Sequence, residues 1–238
     1  MFDFDGKVAM ITGASGNLGR VIARAFYDSG ASLAIIDRHE DVLRKIFPDL
    51  VGSSDCYLSG CADITDLGEV GKVVEAAAAF FGQIDILVNT VGGYRAGQPL
   101  HETPISTFQF MFKLNAQTTF VINQCVIPYM IRQGSGKIIN LAARPGLSGR
   151  ANMAAYSASK AAVMRLTESA SAELKNQGIN VNCLLPGTID TPQNRAAMPD
   201  ADPSRWVTPE SLAKVILFMT SDASKDIHGA AVPVYGLT

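Results

Sequence analysis

The sequence predicts an α/β fold, a doubly wound parallel sheet with helices on both faces. Short apolar runs of strand length alternate along the chain with longer segments of helical spacing, the pattern that places helices on both sides of parallel strands. The first apolar run leads directly into a glycine cluster that opens a helix. No linker, low-complexity tract or charge block interrupts the alternation, so residues 1–238 read as one domain.

Val8–Ile11 is the first buried strand, followed by glycines and by a helix over Arg20–Ser29 that Gly30 terminates. Ser32–Ile36 is the second strand and ends at Asp37. A polar segment, Arg38–Leu50, leads to a weak third strand at Cys56–Gly60. Asp66–Phe81 is a helix, with Val73, Val74, Ala77 and Phe80 spaced for one face, and Ile84–Val88 is the next strand. Thr103-Pro104 opens a long helix to about Arg132 by the rule that places a cap before a first-turn proline. Lys137–Leu141 is a strand, Met153–Asn176 a helix and Ile179–Leu185 a strand. Thr208-Pro209-Glu210 opens another helix to about Thr220, and Ala230–Val234 is a short final strand. The longest stretch without periodicity, about 192–207, is rich in Pro, Asp, Asn and Arg. Such a length inside a compact domain marks a functional loop, here a substrate lid.

Composition excludes several classes. A formal charge of −2 gives no electrostatic reason for nucleic acid or an anionic membrane as partner. Cys56, Cys61, Cys125 and Cys183 lie in apolar or mixed stretches without a C-x-x-C pair, and read as small buried residues of a reducing compartment. His39, His101 and His228 are scattered, so no metal is expected. The N-terminus has acids and no apolar core of a signal peptide, and no run reaches the length of a membrane span. A cytoplasmic protein acting on a small molecule is the expectation.

Thr12-Gly13-Ala14-Ser15-Gly16-Asn17-Leu18-Gly19 stands between strand and helix. Glycines there let the backbone approach a pyrophosphate, and the helix N-terminus offers free N–H groups with a partial positive charge. Gly13, Ser15, Gly16, Asn17, Leu18 and Gly19 are therefore candidate cofactor ligands. Asp37 follows Gly19 by 18 residues. A carboxylate at that distance accepts hydrogen bonds from ribose hydroxyls and repels a 2′-phosphate, favouring NAD(H). Arg38 beside it leaves NADP(H) open. Tyr156 and Lys160 are four apart on a predicted helix and share a face. A lysine charge beside a phenol lowers its pKa and fits it for proton exchange during hydride transfer.

These motifs, with Asn89-Thr90-Val91-Gly92, Asn115 and Pro186-Gly187-Thr188-Ile189-Asp190-Thr191, follow the order and spacing of the short-chain dehydrogenase/reductase family, which the chain resembles over nearly its whole length. The resemblance implies a Rossmann-like domain with a seven-stranded parallel sheet, NAD(P), and a homodimer or homotetramer. Position by position, it implies that Asp63 and Ile64 border the adenine. Asn89, Val91 and Gly92 would border the adenosine ribose and nicotinamide side, where Pro186 and Gly187 also lie, and Ile189 and Thr191 would hold the carboxamide. Asn115 would support a relay water, Tyr156 would be the acid-base residue and Lys160 would bind the nicotinamide ribose. Phe108, Phe110, Met111 and Phe112 exceed what one core face needs and are candidates for subunit contact.

Two departures stand out. Asn17 occupies a place that is glycine in the family, with a glycine one earlier at Gly16; asparagine tolerates left-handed backbone, so binding is expected to survive. The family's catalytic serine lies 13 residues before the tyrosine, and here that place is Ala143, with Ser148 nearby in sequence as a candidate substitute. Dihydropteridine reductases, a branch that the chain resembles in Gly92-Gly93-Tyr94 and in Asp190–Trp206, have alanine there too. This implies hydride transfer to a quinonoid dihydropterin, which needs protonation on a heteroatom more than polarisation of a ketone. Tyr94 or Trp206 would stack on a flat substrate and Arg144 would touch its polar edge, with Ala143 beside them. A carbonyl or alcohol dehydrogenase with a modified site and a non-catalytic nucleotide sensor are the alternatives.

Overall fold

The computed structural model describes residues 2–238. Seven parallel strands form one sheet in the order β3-β2-β1-β4-β5-β6-β7. They are β1 (Val8–Thr12), β2 (Ser32–Asp37), β3 (Cys56–Gly60), β4 (Ile86–Asn89), β5 (Gly136–Leu141), β6 (Ile179–Pro186) and β7 (Ala231–Val234). The helices are α1 (Asn17–Tyr27), α2 (Glu40–Ile46), α3 (Leu67–Phe81), α4 (Ile105–Met111), α5 (Thr118–Gln133), α6 (Ala154–Leu174), α7 (Pro192–Ala197) and α8 (Pro209–Thr220).

Alternating strand residues feed two apolar layers. Ala9, Ile11, Leu33 and Ile35 pack under Ile22 and Phe26 of α1 and Leu212 and Ile216 of α8. Met10, Ala34, Leu87 and Ile138 face the opposite way, toward Val74 of α3 and Val121 and Val126 of α5. Strand order reverses between β1 and β4, which pair through Ala9↔Ile86 to Thr12↔Asn89. The carboxyl ends on either side of that reversal form the crevice in which such sheets bind ligands.

Local chemistry explains most boundaries. Asp66 caps α3 by accepting from the Glu69 N–H, and Thr208 caps α8 by accepting from the Ser211 N–H with Pro209 in the first turn. Thr103 does not cap as expected: its hydroxyl donates backward to the Pro99 carbonyl at 2.9 Å, and Pro104 becomes the N-cap of α4.

The long helix expected to about Arg132 runs unbroken to Gln133, with a π-helical turn, Phe112–Gln117, between α4 and α5. There the Thr118 and Thr119 hydroxyls donate to the Leu114 and Asn115 carbonyls, both at 2.8 Å, and π-helical turns of this kind recur at functional positions. The stretch 192–207 is not irregular throughout, since it contains α7 and a short 3₁₀ turn at Pro203–Arg205. Phe80 leaves the buried face of α3 and is half exposed, its ring tilted against Tyr57 and edge-on to Phe81. Met111 is fully buried and takes no part in the exposed surface formed by Phe108 and Phe110. The four cysteines are free; Cys56, Cys61 and Cys183 are buried and Cys125 half-buried.

Candidate active site

The glycine loop after β1 forms the floor of the crevice. Gly13 is left-handed at φ +69, and a Cβ there would sit 2.8 Å from the Thr90 hydroxyl. A Cβ on Gly19 would overlap the Gly13 carbonyl oxygen and lie 2.8 Å from the Ala14 Cα. The loop therefore closes against α1 only because both residues lack side chains. No side chain caps α1, whose N-cap is Gly16 in extended backbone. The first N–H groups of α1, on Asn17, Leu18 and Gly19, thus face the crevice without intrahelical partners, as a pyrophosphate requires. Asn17 itself is helical, not left-handed, so the conformational tolerance expected of it is not what the position uses.

Asp37 ends β2 and stands over this loop. One carboxylate oxygen accepts from the Ser15 N–H at 2.9 Å and the other from the Arg38 N–H at 2.7 Å. Asp37 is half-buried, while the Arg38 side chain is exposed. Asp63, beyond β3 and next to Ile64, accepts from both the N–H and the hydroxyl of Thr65 and from Lys113 at 3.1 Å. These donors bring its carboxyl down to about 2.

Across the reversal, the Asn89 amide points into the core, accepting from the Thr12 hydroxyl at 2.8 Å and donating to Thr119 at 3.0 Å. Only its backbone is left to border a ligand, alongside Val91 and Gly92. Thr119 in turn donates to the carbonyl of Asn115 within the π-helical turn. The Asn115 side chain is buried, accepting from the Gly93 N–H at 2.9 Å and donating to the Ser159 hydroxyl at 3.0 Å. A Cβ on Gly92 would lie 2.9 Å from Asn115 Oδ1 and 3.0 Å from Lys160 Nζ. The missing side chain thus lets α6 and the π-helical turn meet at one point.

Tyr156 and Lys160 enter from the first turns of α6. Lys160 is buried and its ammonium donates to the Leu141 carbonyl at 2.8 Å. Tyr156 is half-buried with the Tyr94 ring edge-on to its own, centroids 4.9 Å apart. The expected lowering of the Tyr156 pKa by Lys160 is corrected here. Burial pushes the phenol up to about 12, and Tyr94 adds to the rise. Loss of solvation is the dominant cause.

Burial also pushes the Lys160 ammonium down to about 8 from its usual 10.5. A base whose folded pKa lies below its unfolded value costs stability at neutral pH. Between about pH 8 and 10.5 the unfolded chain holds more protons, so that cost is relieved as pH rises. Lys160→Met should therefore melt about 3–6 °C above wild type at pH 7, the charge relief exceeding the lost hydrogen bond by roughly 1–2 kcal/mol. The gap should shrink by pH 10.5. A variant less stable at both pH values would show that the buried ammonium is not a stability cost.

The other flank is built by the segment after β6. Ile189 pairs with Val207 in a single parallel bridge, so residues 190–206 leave the sheet and return to one point. Thr191 caps α7 by accepting from the Asn194 N–H at 3.2 Å. Gly187, after Pro186, is packed under the Tyr235 carbonyl, where a Cβ would come within 2.6 Å. Trp206 is only 8% exposed, so its ring is packed into the protein and offers no stacking face; that expectation is corrected. Tyr94, 60% exposed, does offer one. Arg144 donates to the Thr238 carbonyl at 2.6 Å and covers the Tyr235 ring, which ties it to the C-terminal tail. Ala143 is buried, at the start of the turn Arg144–Gly146 that packs on α6. Ser148 is exposed beyond that turn. Among the described residues no group of three His, Cys, Asp or Glu is placed to hold a metal, and no helix is long and apolar enough to cross a membrane.

The sequence reading missed Ser159, Gly93 and Thr119 as supports of Asn115. The only signal that could have exposed them was the Thr118-Thr119 pair inside a helical pattern, since β-branched hydroxyl residues bond back to the preceding turn.

Residues 7–202 match the short chain dehydrogenase family. The chain is 32% identical over 243 residues to a 3-oxoacyl-(acyl-carrier-protein) reductase of Thermotoga maritima, covering 98% of this chain and 97% of the relative. It is 31% identical over 246 residues to a D-threitol dehydrogenase of Mycolicibacterium smegmatis, covering 99% and 94%. Among solved structures, an NAD+-bound xylitol dehydrogenase superposes with a TM-score of 0.87 at 28% identity, covering 98% of this chain and 99% of that one. A glycine-floored crevice at the strand reversal, a Tyr-Lys pair on α6 beside it and these likenesses place the chain in the short-chain dehydrogenase family, as an NAD(P)-dependent oxidoreductase.

Proposed function

We propose that the chain is an NADH-dependent reductase of a small planar heterocycle of the dihydropterin type. The observation that carries this is Ala143 at the place of the family's serine, together with an exposed aromatic ring, Tyr94, set edge-on to Tyr156. A ketone substrate needs a donor at that place to hold its developing oxyanion, and alanine has none. A conjugated ring accepting hydride needs instead a proton on its nitrogen and a flat face to lie on.

In this reading the bound nicotinamide supplies the hydride. The Tyr156 phenol, protonated at neutral pH because burial holds it near about 12, donates its proton to the substrate ring nitrogen as the ring is reduced. Lys160 receives the ribose in this reading, and Asn115 holds the Gly93 backbone and Ser159 in register. Gly13, Gly19 and the α1 N-terminus receive the pyrophosphate, and Asp37 accepts from ribose hydroxyls, which favours NADH over NADPH. The segment 192–207 closes the site as a lid that Trp206 anchors. Subunit association through the exposed Phe108 and Phe110 completes the reading, as a homodimer or homotetramer that sedimentation in solution tests.

The deciding experiment compares NADH and NADPH oxidation by dihydropterin freshly generated from its tetrahydro form, in wild type and Ala143→Ser. Fast wild-type turnover with NADH is expected, changed less than about threefold by Ala143→Ser. Turnover of simple ketones should be slow in wild type and rise roughly 10–100-fold in the serine variant, part of what one such donor contributes. Relatives named for alcohols and oxo groups favour a second reading, a carbonyl or alcohol dehydrogenase with a modified site. Ketone turnover without pterin turnover in wild type would establish that reading instead.

A further inference from the structure

Asn17, which departs from the family's glycine, reaches across the crevice. Its side-chain amide donates to Gln193 Oε1, on the segment that follows β6. Arg20, one turn along α1, donates to Asn17 Oδ1 at 2.7 Å. With its oxygen taken by Arg20, the Asn17 amide has its NH₂ left to present to Gln193, so the pair has a fixed sense of donation. Gln193 lies in the first turn of α7, which is stitched to its own base by the Asn194 side chain donating to the Ile189 carbonyl at 2.8 Å. A two-pronged contact from Arg195 to Asp190, at 2.6 and 2.7 Å, ties the same turn down.

We infer that Asn17 and Gln193 form a latch that ties the 192–207 segment to the first turn of α1 and sets how long the dinucleotide stays bound. This rests on the reading of that segment as a lid and of the α1 N-terminus as the pyrophosphate cradle. A pyrophosphate seated on that turn is enclosed while α7 is tied to the same turn, so release requires the amide pair to part. Glycine at position 17 could make no such contact, which gives the departure at Asn17 a physical purpose. Asn17 and Gln193 are positioning residues in this account, since neither needs to touch a reacting atom. Exchanging one neutral hydrogen bond for water is a small change, roughly two- to tenfold in a dissociation rate.

Stopped-flow fluorescence of NADH release tests the latch, using Asn17→Gly, Asn17→Ala, Gln193→Ala, the double variant Asn17→Ala/Gln193→Ala, and Gln193→Glu. Each variant that breaks the pair should release NADH roughly two- to tenfold faster with an unchanged association rate. The double variant should be no faster than its faster parent, because both substitutions remove one interaction. Gln193→Glu keeps an acceptor for the Asn17 amide and should stay within about twofold of wild type. Wild-type release rates in the single variants, or factors that multiply in the double, would overturn the latch while leaving the cofactor reading intact. A wild-type protein that fails to bind NADH would remove the cofactor reading and the latch together.

Discussion

Tyr156→Phe should lower turnover about 100- to 10,000-fold while leaving NADH affinity within about twofold of wild type. The substitution removes only the hydroxyl. The remaining ring keeps its edge-to-face contact with Tyr94, which depends on the ring quadrupole and not on the oxygen. The hydrogen bonds that hold Asn115, Ser159 and Lys160 in place run to the Ser159 hydroxyl and to the Tyr156 and Leu141 carbonyls, not to the phenol, so the site's frame is unaffected. What is lost is the phenol proposed to deliver the proton, which burial pushes up to about 12 and so keeps protonated at neutral pH. Steady-state rates set beside fluorescence titration with NADH check this. A residual rate within tenfold of wild type would mean that the proton comes from elsewhere. Loss of NADH binding would mean that the phenol is a structural element of the cofactor site.

Gly19→Ala should weaken NADH binding by tenfold or more and lower the melting temperature by several degrees. Its added Cβ would overlap the Gly13 carbonyl oxygen and approach the Ala14 Cα at 2.8 Å and the Gly13 carbonyl carbon at 2.9 Å. All three are backbone atoms, so no side chain can rotate aside. Either the loop lifts off α1 or the helix shifts, at a cost of about 1–3 kcal/mol. Both movements displace the free N–H groups of Asn17 and Leu18 from the line of the pyrophosphate, which couples the stability loss to affinity. Gly71→Ala is the matched control. It lies inside α3, where a Cβ meets nothing within 4 Å, and the gain in helix propensity should leave the protein equally or slightly more stable. Equal behaviour of the two variants would show that the loop has slack that its geometry does not suggest.

The cofactor end of the site was legible in the sequence because its determinants are local. A strand, a glycine turn, an uncapped helix start and an acid at the end of the next strand lie within Val8–Asp37 and act over short distances along the chain. The same holds for the strand Cys56–Gly60, for the Thr208-Pro209 helix start, and for the four-residue step that puts Tyr156 and Lys160 on one face of α6.

What the sequence by itself determined is therefore the periodicity of each element, the parallel order of the sheet and the chemistry gathered at its carboxyl edge. Tertiary structure alone decided how that chemistry is tuned. The π-helical turn that sets Asn115 is a local change of backbone winding that an amphipathic pattern does not record. Trp206 and Met111 are buried and Phe80 is exposed because neighbours distant in sequence cover or leave them, which no residue type specifies. The Tyr156 phenol rises where the Tyr-Lys spacing predicted a fall, because desolvation depends on everything packed around the ring while spacing reports one partner. Asn17 meets Gln193 across 176 residues of chain, and only folding brings two such positions within reach of one hydrogen bond.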